Sequence, residues 1–461
     1  MKFLKKCFYF MFVFLLVFVF AGCTKKKTEE KAKTEPTKAT EPAKTGEKTD
    51  PAKTEVKPEP TVTVDPTGTG NPELGITFSI NVYDIDGEKL GAVEVTKDKN
   101  FDGTVKGVLL TELCDSFDVV YTESDYGPYI TSIAGSVVDS NYYVSILENG
   151  EYSMVGINDI VIDDGDVFDF AVVTWKEFDE TDLLVDKLFY KFFKEQINES
   201  FPETGFSYPL LAAINKACHA SSYGFAYYDT NVVNSNFDSK QAYIESYSGD
   251  FASEATVSPL LKAALVKSCY EFENDSIETA LNGLDTEALN SLFYAPYYLM
   301  ACKLNGTEPM QAVLDYYEDL LKYETPCDSV LLALQAYALY ADKFENYEDT
   351  VNSTLANEAS AVTENGFNDE WGGINCASTA QLIMTLVALN LNPRDYLDLD
   401  IVKALLGYEK DGSFLYTADA IEPDLSFSTP QAYAALIAYK MYRDLNTAIN
   451  IYDVTEEVPA E

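Results

Sequence analysis

Three segments in the last third of the chain begin alike and recur at almost constant spacing. Ser329, Ser378 and Ser428 lie 49 and 50 residues apart, and each stands near the start of a stretch whose apolar residues follow a helical period. A period near 50 is typical of helical hairpins that stack on one another, because a single hairpin cannot bury its own apolar face. The sequence therefore predicts a repetitive all-helical domain, with Ser378 and Ser428 suited to helix N-cap positions.

Changes in composition divide the rest of the chain. Ile76 to Thr174 contains stretches of alternating apolar and polar residues and one helical segment from Thr104 to Leu113, which predicts a small α+β domain. From Asp182 the apolar period becomes helical, so the predicted fold class is multidomain, α+β followed by all-α. The predicted segments are 1–23, an export signal; 24–70, a disordered tether; 71–176, the α+β domain; 180–450, the helical domain; and 451–461, an acidic tail.

The charge of the chain excludes one class of partner. The formal net charge is −42 at pH 7, from 75 acidic and 33 basic side chains. Such a surface repels phosphate backbones, so we expect no nucleic-acid partner. The tether is nearly balanced, with ten Lys against nine acidic residues, and it has too little apolar content to offset the entropy of ordering.

The first 23 residues have the pattern of a bacterial export signal. Lys2, Lys5 and Lys6 precede an apolar run from Phe8 to Phe20, which is too short to be a typical membrane span. The following Ala-Gly-Cys ending resembles the lipobox of bacterial lipoproteins. The resemblance implies that Cys23 is diacylated through its sulfur, becomes the mature N-terminus and anchors the protein to the extracellular face of the cell membrane.

The remaining sequence offers no recognisable catalytic or metal motif. Six cysteines follow the signal: Cys114, Cys218, Cys269, Cys302, Cys327 and Cys376. No two of them form a CxxC pair and His219 is the single histidine, so we expect no metal site and no catalytic triad. An oxidising compartment permits disulfides, but several of these cysteines lie in apolar helical patterns, so buried free thiols are equally consistent with the sequence. We predict that the protein is not an enzyme.

The C-terminal half resembles the terpenoid-cyclase/prenyltransferase superfamily, the α/α toroid. The resemblance rests on Gly366-Phe367, Gly372-Gly373 and Ser378-Thr379-Ala380-Gln381 in one repeat. The next repeat offers Asp411-Gly412-Ser413-Phe414 and Ser428-Thr429-Pro430-Gln431-Ala432. The resemblance implies about six helical hairpins that close into a ring.

The N-terminal half resembles the β-grasp domain found at the C-terminus of transcobalamin and intrinsic factor. The matching residues are a helix from Val105 to Leu113, then Tyr129–Gly135, Tyr142-Tyr143, Asn149-Gly150, Gly156-Ile157 and Asp164-Gly165-Asp166. Cobalamin carriers combine the same two folds, although here their order is reversed. The resemblance implies a ligand cleft between the two domains.

Aromatic and amide side chains in loops and at helix starts supply the ligand-binding candidates. They are Tyr142, Tyr143, Tyr227, Trp371, Gln381, Tyr416 and Gln431. Such groups suit a flat amphipathic ligand, either a corrinoid or a sugar face. The sequence predicts no cofactor, and cobalamin is a candidate ligand.

Three functions follow as hypotheses. The first is a lipid-anchored binding protein that captures cobalamin or a related corrinoid between its domains. The second is a surface adhesin or scaffold that binds a host or cell-wall polymer. The third is a glycan-active toroid enzyme, for which Asp229, Asp369 and Glu370 are the best acidic candidates.

Overall fold

A computed structural model describes residues 75–124, 127–138, 141–193, 207–219, 247–251, 256–270 and 272–454. The predicted signal, the tether, Cys23, Tyr227 and Asp229 lie outside these ranges. So do the side chains of Cys218, His219 and Cys269. Within the described part of the chain, every helix is too short or too polar to cross a lipid bilayer.

The N-terminal domain is built on a five-stranded mixed sheet. Its elements are β1 Thr77–Tyr83, β2 Lys89–Thr96, α1 Val108–Ser116, β3 Val119–Ser124, β4 Gly127–Ile133, β5 Ser136–Val137, β6 Tyr142–Glu148, β7 Glu151–Tyr152 and β8 Val167–Thr174. The strand order is β2-β1-β8-β6-β7, in which β1 and β8 run parallel and the other pairs antiparallel. Strands β3, β4 and β5 form a second, antiparallel sheet.

Alternating side chains build the core of this domain. Phe78, Ile80 and Val82 point to one face of β1 and are at most 1% exposed, as the period of two requires. The buried side of α1 packs into the same core. Asn149 and Gly150 both have positive φ angles and join β6 to β7 in a hairpin turn, a conformation that an Asn-Gly pair favours.

The second part of the described chain is almost entirely helical. Its helices are α2 Glu180–Lys191, α3 Tyr208–His219, α4 Val257–Tyr270, α5 Asp275–Asn282, α6 Thr286–Leu289, α7 Tyr294–Asn305, α8 Gln311–Leu320, α9 Asp328–Ala338, α10 Tyr347–Glu358, α11 Cys376–Ala388, α12 Ile401–Leu406 and α13 Ser428–Leu445. Short strand pairs occupy the loops before α11 and α13: β9 Val362–Thr363, β10 Gly366–Asp369, β11 Gly373–Ile374, β12 Glu409–Lys410 and β13 Ser413–Phe414. The expected class, an α+β domain followed by a helix-rich region, is confirmed.

Six of the helices contact one another in a closed cycle. The order of neighbours is α3, α4, α7, α9, α11, α13 and again α3. We call this cycle the helix ring. The membership of the helical region in the cyclase and prenyltransferase superfamily stays a prediction.

Contacts at both ends show that three of the ring helices, α3, α4 and α7, run in the same direction. At the N-terminal end, the Tyr208 hydroxyl of α3 meets Ser258 of α4. At the C-terminal end, Lys216 of α3 and Lys303 of α7 both contact Asp453. The N-terminal end is called the mouth of the ring below.

The end of the described chain closes the opposite side of the ring. The Ile449 N–H donates to the Val387 carbonyl (3.0 Å), and the Asn450 side chain donates to the Gln335 carbonyl (2.8 Å). Ile451 and Tyr452 are fully buried. The predicted start of an acidic tail at residue 451 is wrong, because Ile451 and Tyr452 belong to the core of the helical domain.

Helix α2 connects the two domains through a buried polar contact. The Tyr142 hydroxyl of β6 donates to Oδ2 of Asp186 (2.6 Å), and both residues are 0% exposed. Arg443 of α13 donates to the other oxygen of Asp186 (2.7 Å), and the Lys440 ammonium lies 3.3 Å from it. Tyr142 therefore links the N-terminal domain, α2 and α13.

Candidate ligand site at the mouth of the helix ring

The three repeat helices start side by side at the mouth. The Ser378 hydroxyl of α11 donates to Oδ2 of Asp328, the first residue of α9 (3.1 Å). The N–H of Cys376, the first residue of α11, donates to the carbonyl of Tyr416 in the loop before α13 (2.9 Å). The loops before α11 and α13, which carry Trp371 and Tyr416, therefore meet in one place.

Carboxylates from distant positions cap the start of α9. The Asp328 N–H donates to Oδ1 of Asp369, and the Cys327 N–H donates to Oε2 of Glu358, both at 3.0 Å. These acceptors satisfy backbone donors that the helix itself leaves unpaired. Asp369 also accepts the N–H groups of Trp371 and Gly372 through Oδ2, each at 2.9 Å.

The carboxyl group of Asp328, at the start of α9, has a pKa above its usual range. Burial, together with repulsion from Asp369, raises its pKa to about 6. Burial likewise raises the pKa of Glu358, which is 1% exposed, to about 7. The mouth therefore contains two carboxyl groups that change charge near neutral pH.

Exposed aromatic side chains lie next to these carboxylates. Trp371 is 53% exposed and Tyr416 is 37% exposed. A Cβ atom on Gly372 would lie 2.7 Å from the Tyr416 hydroxyl, so this hydroxyl rests directly on the turn that carries Trp371. The neighbouring Glu370 accepts a hydrogen bond from the Tyr323 hydroxyl (2.8 Å). The mouth thus combines open aromatic faces with carboxylate oxygens.

The structure separates the ligand-binding candidates into different places. It brings Trp371 and Tyr416 together at the mouth. Gln381 is 5% exposed, and its amide donates to Gln335 (3.1 Å) and Thr385 (3.3 Å), so it joins α9 to α11. Gln431 is partly buried in the first turn of α13.

The two candidates on β6 lie in the N-terminal domain. Tyr142 is buried at the domain junction described above. Tyr143 stacks on Trp175 with ring centroids 5.0 Å apart and an interplanar angle of 18°, and Trp175 is 57% exposed. This stacked pair is a second aromatic surface, distinct from the mouth.

Sequence reasoning missed Asp328 and Glu358 as site residues. Asp328 carries a visible signal, since it stands next to Ser329, the first member of the repeated serine series. Glu358 has no comparable signal, because it reaches the start of α9 from the end of α10, 31 residues away in sequence.

A polar cavity of about 350 Å³ opens near the domain junction. Its lining residues are Asp182, Asn392, Arg394, Tyr439, Tyr442, Arg443 and Asn446. Both of its guanidinium groups are engaged by carboxylates: Arg394 contacts Asp179 (2.7 Å) and Asp400 (2.8 Å), and Arg443 contacts Asp186 (2.7 Å). The walls of this cavity are therefore part of the ion-pair network that joins α2 to the rest of the helical domain.

The described cysteines and acidic residues form no evident metal site. Cys114, Cys302, Cys327 and Cys376 are free thiols. No group of three or more His, Cys, Asp or Glu side chains within the described ranges is placed to hold a metal ion.

Comparison with known proteins gives a partial assignment. Residues 107–174 match a family model described as Domain of unknown function (DUF4430), which corresponds to the N-terminal domain from the start of α1 to the end of β8. No curated protein matches the chain. Among solved structures, the chain is similar to a candidate metal-binding protein from Ruminococcus gnavus, with 17% identity and a TM-score of 0.18 over 22% of this chain and 99% of that chain. A TM-score this low supports no inference about function.

Proposed function

We propose that this protein is a lipid-anchored binding protein on the extracellular face of a bacterial cell membrane, and that it captures a glycan polymer at the mouth of the helix ring. The observation that carries the proposal is the pairing of two exposed aromatic side chains, Trp371 and Tyr416, with the carboxylates at the start of α9. Among the three hypotheses drawn from the sequence, this arrangement favours the surface-polymer binder.

The chemistry of the mouth suits a sugar. An exposed aromatic face packs against the apolar C–H face of a pyranose ring, and nearby oxygen acceptors bind its hydroxyl groups. Trp371 offers the face, while Glu370 and Asp328 offer carboxylate oxygens. Tyr416 adds a second ring and a hydroxyl that can either donate or accept.

We propose glycan binding and not glycan cleavage because the carboxylate of Asp369 already accepts hydrogen bonds from the protein backbone. Both of its carboxylate oxygens accept backbone N–H groups, from Asp328 and from Trp371 and Gly372. These bonds explain Asp369 as a helix cap and loop anchor. No catalytic step is assigned to it.

The resemblance of the N-terminal sequence to a lipoprotein signal supports the proposed anchor. The proposed lipid on Cys23 and the tether from Thr24 to Gly70 would hold the folded domains away from the membrane. This position suits a protein that binds a surface polymer.

A corrinoid is the second candidate ligand, and the stacked pair of Tyr143 and Trp175 favours it. This pair presents a flat apolar surface in the domain that resembles the transcobalamin β-grasp module. Cobalamin would be expected to contact this pair and not Trp371.

The chain contains two tryptophans, one at each aromatic surface, which allows a direct test. In full-length protein in detergent micelles, Trp175→Phe leaves Trp371 as the fluorescent reporter and Trp371→Phe leaves Trp175. Oligosaccharides released from bacterial cell wall should change the fluorescence of the Trp175→Phe variant. They should leave that of the Trp371→Phe variant unchanged.

The same pair of variants separates the competing ligands. In one outcome, cyanocobalamin quenches the fluorescence of Trp175 with saturable, micromolar affinity while no glycan changes the fluorescence of Trp371. That result would identify the ligand as a corrinoid and not a glycan. Fluorescence that responds to neither class would refute binding at both surfaces. Globomycin, which blocks lipoprotein signal processing, should leave the precursor uncleaved if Cys23 carries the anchor.

A further inference from the structure

The loops before α11 and α13 expose a group of large apolar side chains. Single exposed apolar residues are ordinary on protein surfaces, whereas several concentrated in two short loops mark a contact surface. We call this group the loop face. Its six members, each more than a third exposed, are Trp371, Ile374, Tyr416, Ile421, Leu425 and Phe427.

Hydrogen bonds hold the two loops together. The N–H of Cys376, which directly follows the first loop, donates to the Tyr416 carbonyl in the second loop (2.9 Å). The Asp424 N–H donates to the Phe414 carbonyl (2.8 Å), so the second loop folds back to within two residues of Tyr416. The apolar side chains of both loops therefore belong to one surface.

The turn at Asp424 fixes the most exposed part of the loop face. The Asp424 carboxylate accepts the N–H groups of Phe427 (3.2 Å) and Ser428 (3.0 Å). Leu425 lies inside this turn and is 68% exposed. Ile421 is 78% exposed, although its carbonyl accepts a hydrogen bond from the Lys410 ammonium (2.6 Å). These side chains are therefore exposed on a backbone that the protein holds in place.

The same two loops are uniformly acidic. Residues 359–375 contain three acidic side chains, residues 411–427 contain four, and neither loop contains a lysine or an arginine. The seven are Glu364, Asp369, Glu370, Asp411, Asp419, Glu422 and Asp424. The loop face is therefore an apolar surface within a field of negative charge.

This charge decides between the possible occupants of the loop face. A second copy of a chain with a net charge of −42 would bring like charges together, and an anionic lipid surface would be repelled in the same way. A neutral glycan suits Trp371 and Tyr416, but the aliphatic side chains of Ile421 and Leu425 offer its hydroxyl groups no partner. A partner that carries both apolar and basic side chains complements the whole surface.

We propose that the loop face binds a cationic amphipathic peptide segment. Its apolar side chains cover Ile421, Leu425 and Phe427, and its lysine or arginine side chains lie against Glu370, Asp419 and Glu422. Burial of apolar area supplies the affinity, while complementary charge selects the partner and speeds association. This interaction goes beyond glycan capture and does not depend on it.

The test uses full-length protein in phosphatidylcholine nanodiscs and follows the fluorescence anisotropy of dye-labelled helical peptides, with empty nanodiscs as the reference. A peptide of leucine and lysine should bind with micromolar affinity, and added salt should weaken it. The matched leucine/glutamate peptide should not bind. The matched serine/lysine peptide should bind far more weakly, because it lacks the apolar contacts.

Two kinds of variant locate the interaction on the loop face. Leu425→Ser should weaken binding of the leucine/lysine peptide about tenfold, because one leucine side chain is no longer buried on binding. Leu397→Ser is the matched control, since Leu397 is 49% exposed in the loop between α11 and α12. Asp419→Asn combined with Glu422→Gln should weaken binding several-fold and reduce its dependence on salt.

Other outcomes would overturn the proposal. Equal binding of the lysine and glutamate peptides would show an apolar surface without charge selection. Equal weakening by Leu425→Ser and Leu397→Ser, or no binding above empty nanodiscs, would remove the loop face as the site. Self-association of the protein that Leu425→Ser abolishes would identify a second copy as the occupant. Glycan binding on the Trp175→Phe background should persist in Leu425→Ser, so the failure of either proposal is visible separately.

Discussion

The hydroxyl of Tyr142 and the carboxylate of Asp186 form a 2.6 Å hydrogen bond between two domains, with both side chains fully buried. Asp186 also lies within 3.3 Å of Lys440 and within 2.7 Å of Arg443. One carboxylate on α2 therefore connects strand β6 with helix α13. The junction depends on charges that water cannot reach, so its energetics should respond strongly to single substitutions.

Tyr142→Phe should weaken the junction. The substitution keeps the ring in the core of the N-terminal domain but removes a charge-assisted hydrogen bond, for which we expect a loss of about 1.5–3 kcal/mol in the free energy of unfolding. Urea denaturation followed by circular dichroism measures this value. Tyr152→Phe is the control, because Tyr152 is 64% exposed; an equal loss in both variants would contradict the assigned role of Tyr142.

Lys440→Met should destabilise the helical domain more severely. The ammonium group is 0% exposed, contacts Asp186 and Asp444, and lies 5.2 Å from the ring centroid of Phe189. Its removal leaves buried carboxylates with less compensation, for which about 3–5 kcal/mol is typical. Thermal unfolding compares it with Lys322→Met, where the lysine side chain is 71% exposed and a change under about 0.5 kcal/mol is expected.

The ion-pair cluster of Asp444, Lys440 and Arg443 should stabilise the protein less at strongly acid pH. Burial alone would raise the pKa of Asp444, but the adjacent Lys440 and Arg443 lower it from 3.8 to about 2. A lowered folded-state pKa stabilises the protein above pH 3.8, and this contribution is lost as the pH falls through 2. Asp444→Asn should therefore flatten the free energy of unfolding between pH 4 and 2, which acid titration at constant ionic strength would measure. An unchanged slope would refute the coupling.

Glu358→Gln should show the opposite pH dependence. The folded-state pKa of about 7 lies above the ordinary 4.5, so the wild-type free energy of unfolding falls as the pH rises from 4.5 to 7. The glutamine amide oxygen can still accept the Cys327 N–H, and the charge penalty disappears. At pH 8 the variant should be more stable by on the order of 2 kcal/mol, with little difference at pH 4.

Urea denaturation at pH 4, 6 and 8 provides the measurement for Glu358→Gln. Glu364→Gln, in an exposed turn, serves as the control and should follow the wild-type curve. A variant that loses stability at pH 8 would show that the carboxylate charge, through its cap on α9, stabilises the native state.

Gly372→Ala should impair the mouth without unfolding the protein. An added Cβ would lie 2.7 Å from the Tyr416 hydroxyl and 2.8 Å from the Asn375 amide nitrogen, so Tyr416 must move. Glycan binding measured on the Trp175→Phe background should weaken several-fold. Gly249→Ala, where an added Cβ meets nothing within 4 Å, should bind like the parent. Equal affinities in both variants would argue against a role for Tyr416.

The repeats and the aromatic rim could be predicted because their signals are local. The serine spacing indicates where α9, α11 and α13 begin, and Trp371 and Tyr416 are visible as aromatic candidates in loops. The N-cap of α11, however, is Asn375, whose side chain accepts the Ser378 N–H (2.9 Å), so the predicted cap at Ser378 is wrong by three residues. Ser428 is the first residue of α13, and its N–H is capped by Asp424 (3.0 Å) instead.

Contacts between distant segments could not be predicted from the sequence. Glu358 and Asp369 cap α9 from positions 31 and 41 residues away from their donors, and a single sequence does not show such pairings. Tyr142 belonged to a Tyr-Tyr pair that suggested a ligand surface. Its burial against Asp186 arises from domain packing, which residue type alone cannot show.

The closing segment from Ile449 to Asp453 also constrains the order in which the protein can assemble. The ring is completed by residues near the end of the described chain, which contact α3, α7, α9 and α11. No N-terminal fragment that stops before Ile449 contains the finished ring, however many of its helices have formed. Ring closure must therefore wait until the chain has emerged through Asp453, and the closing segment completes the interior after all the ring helices have been made.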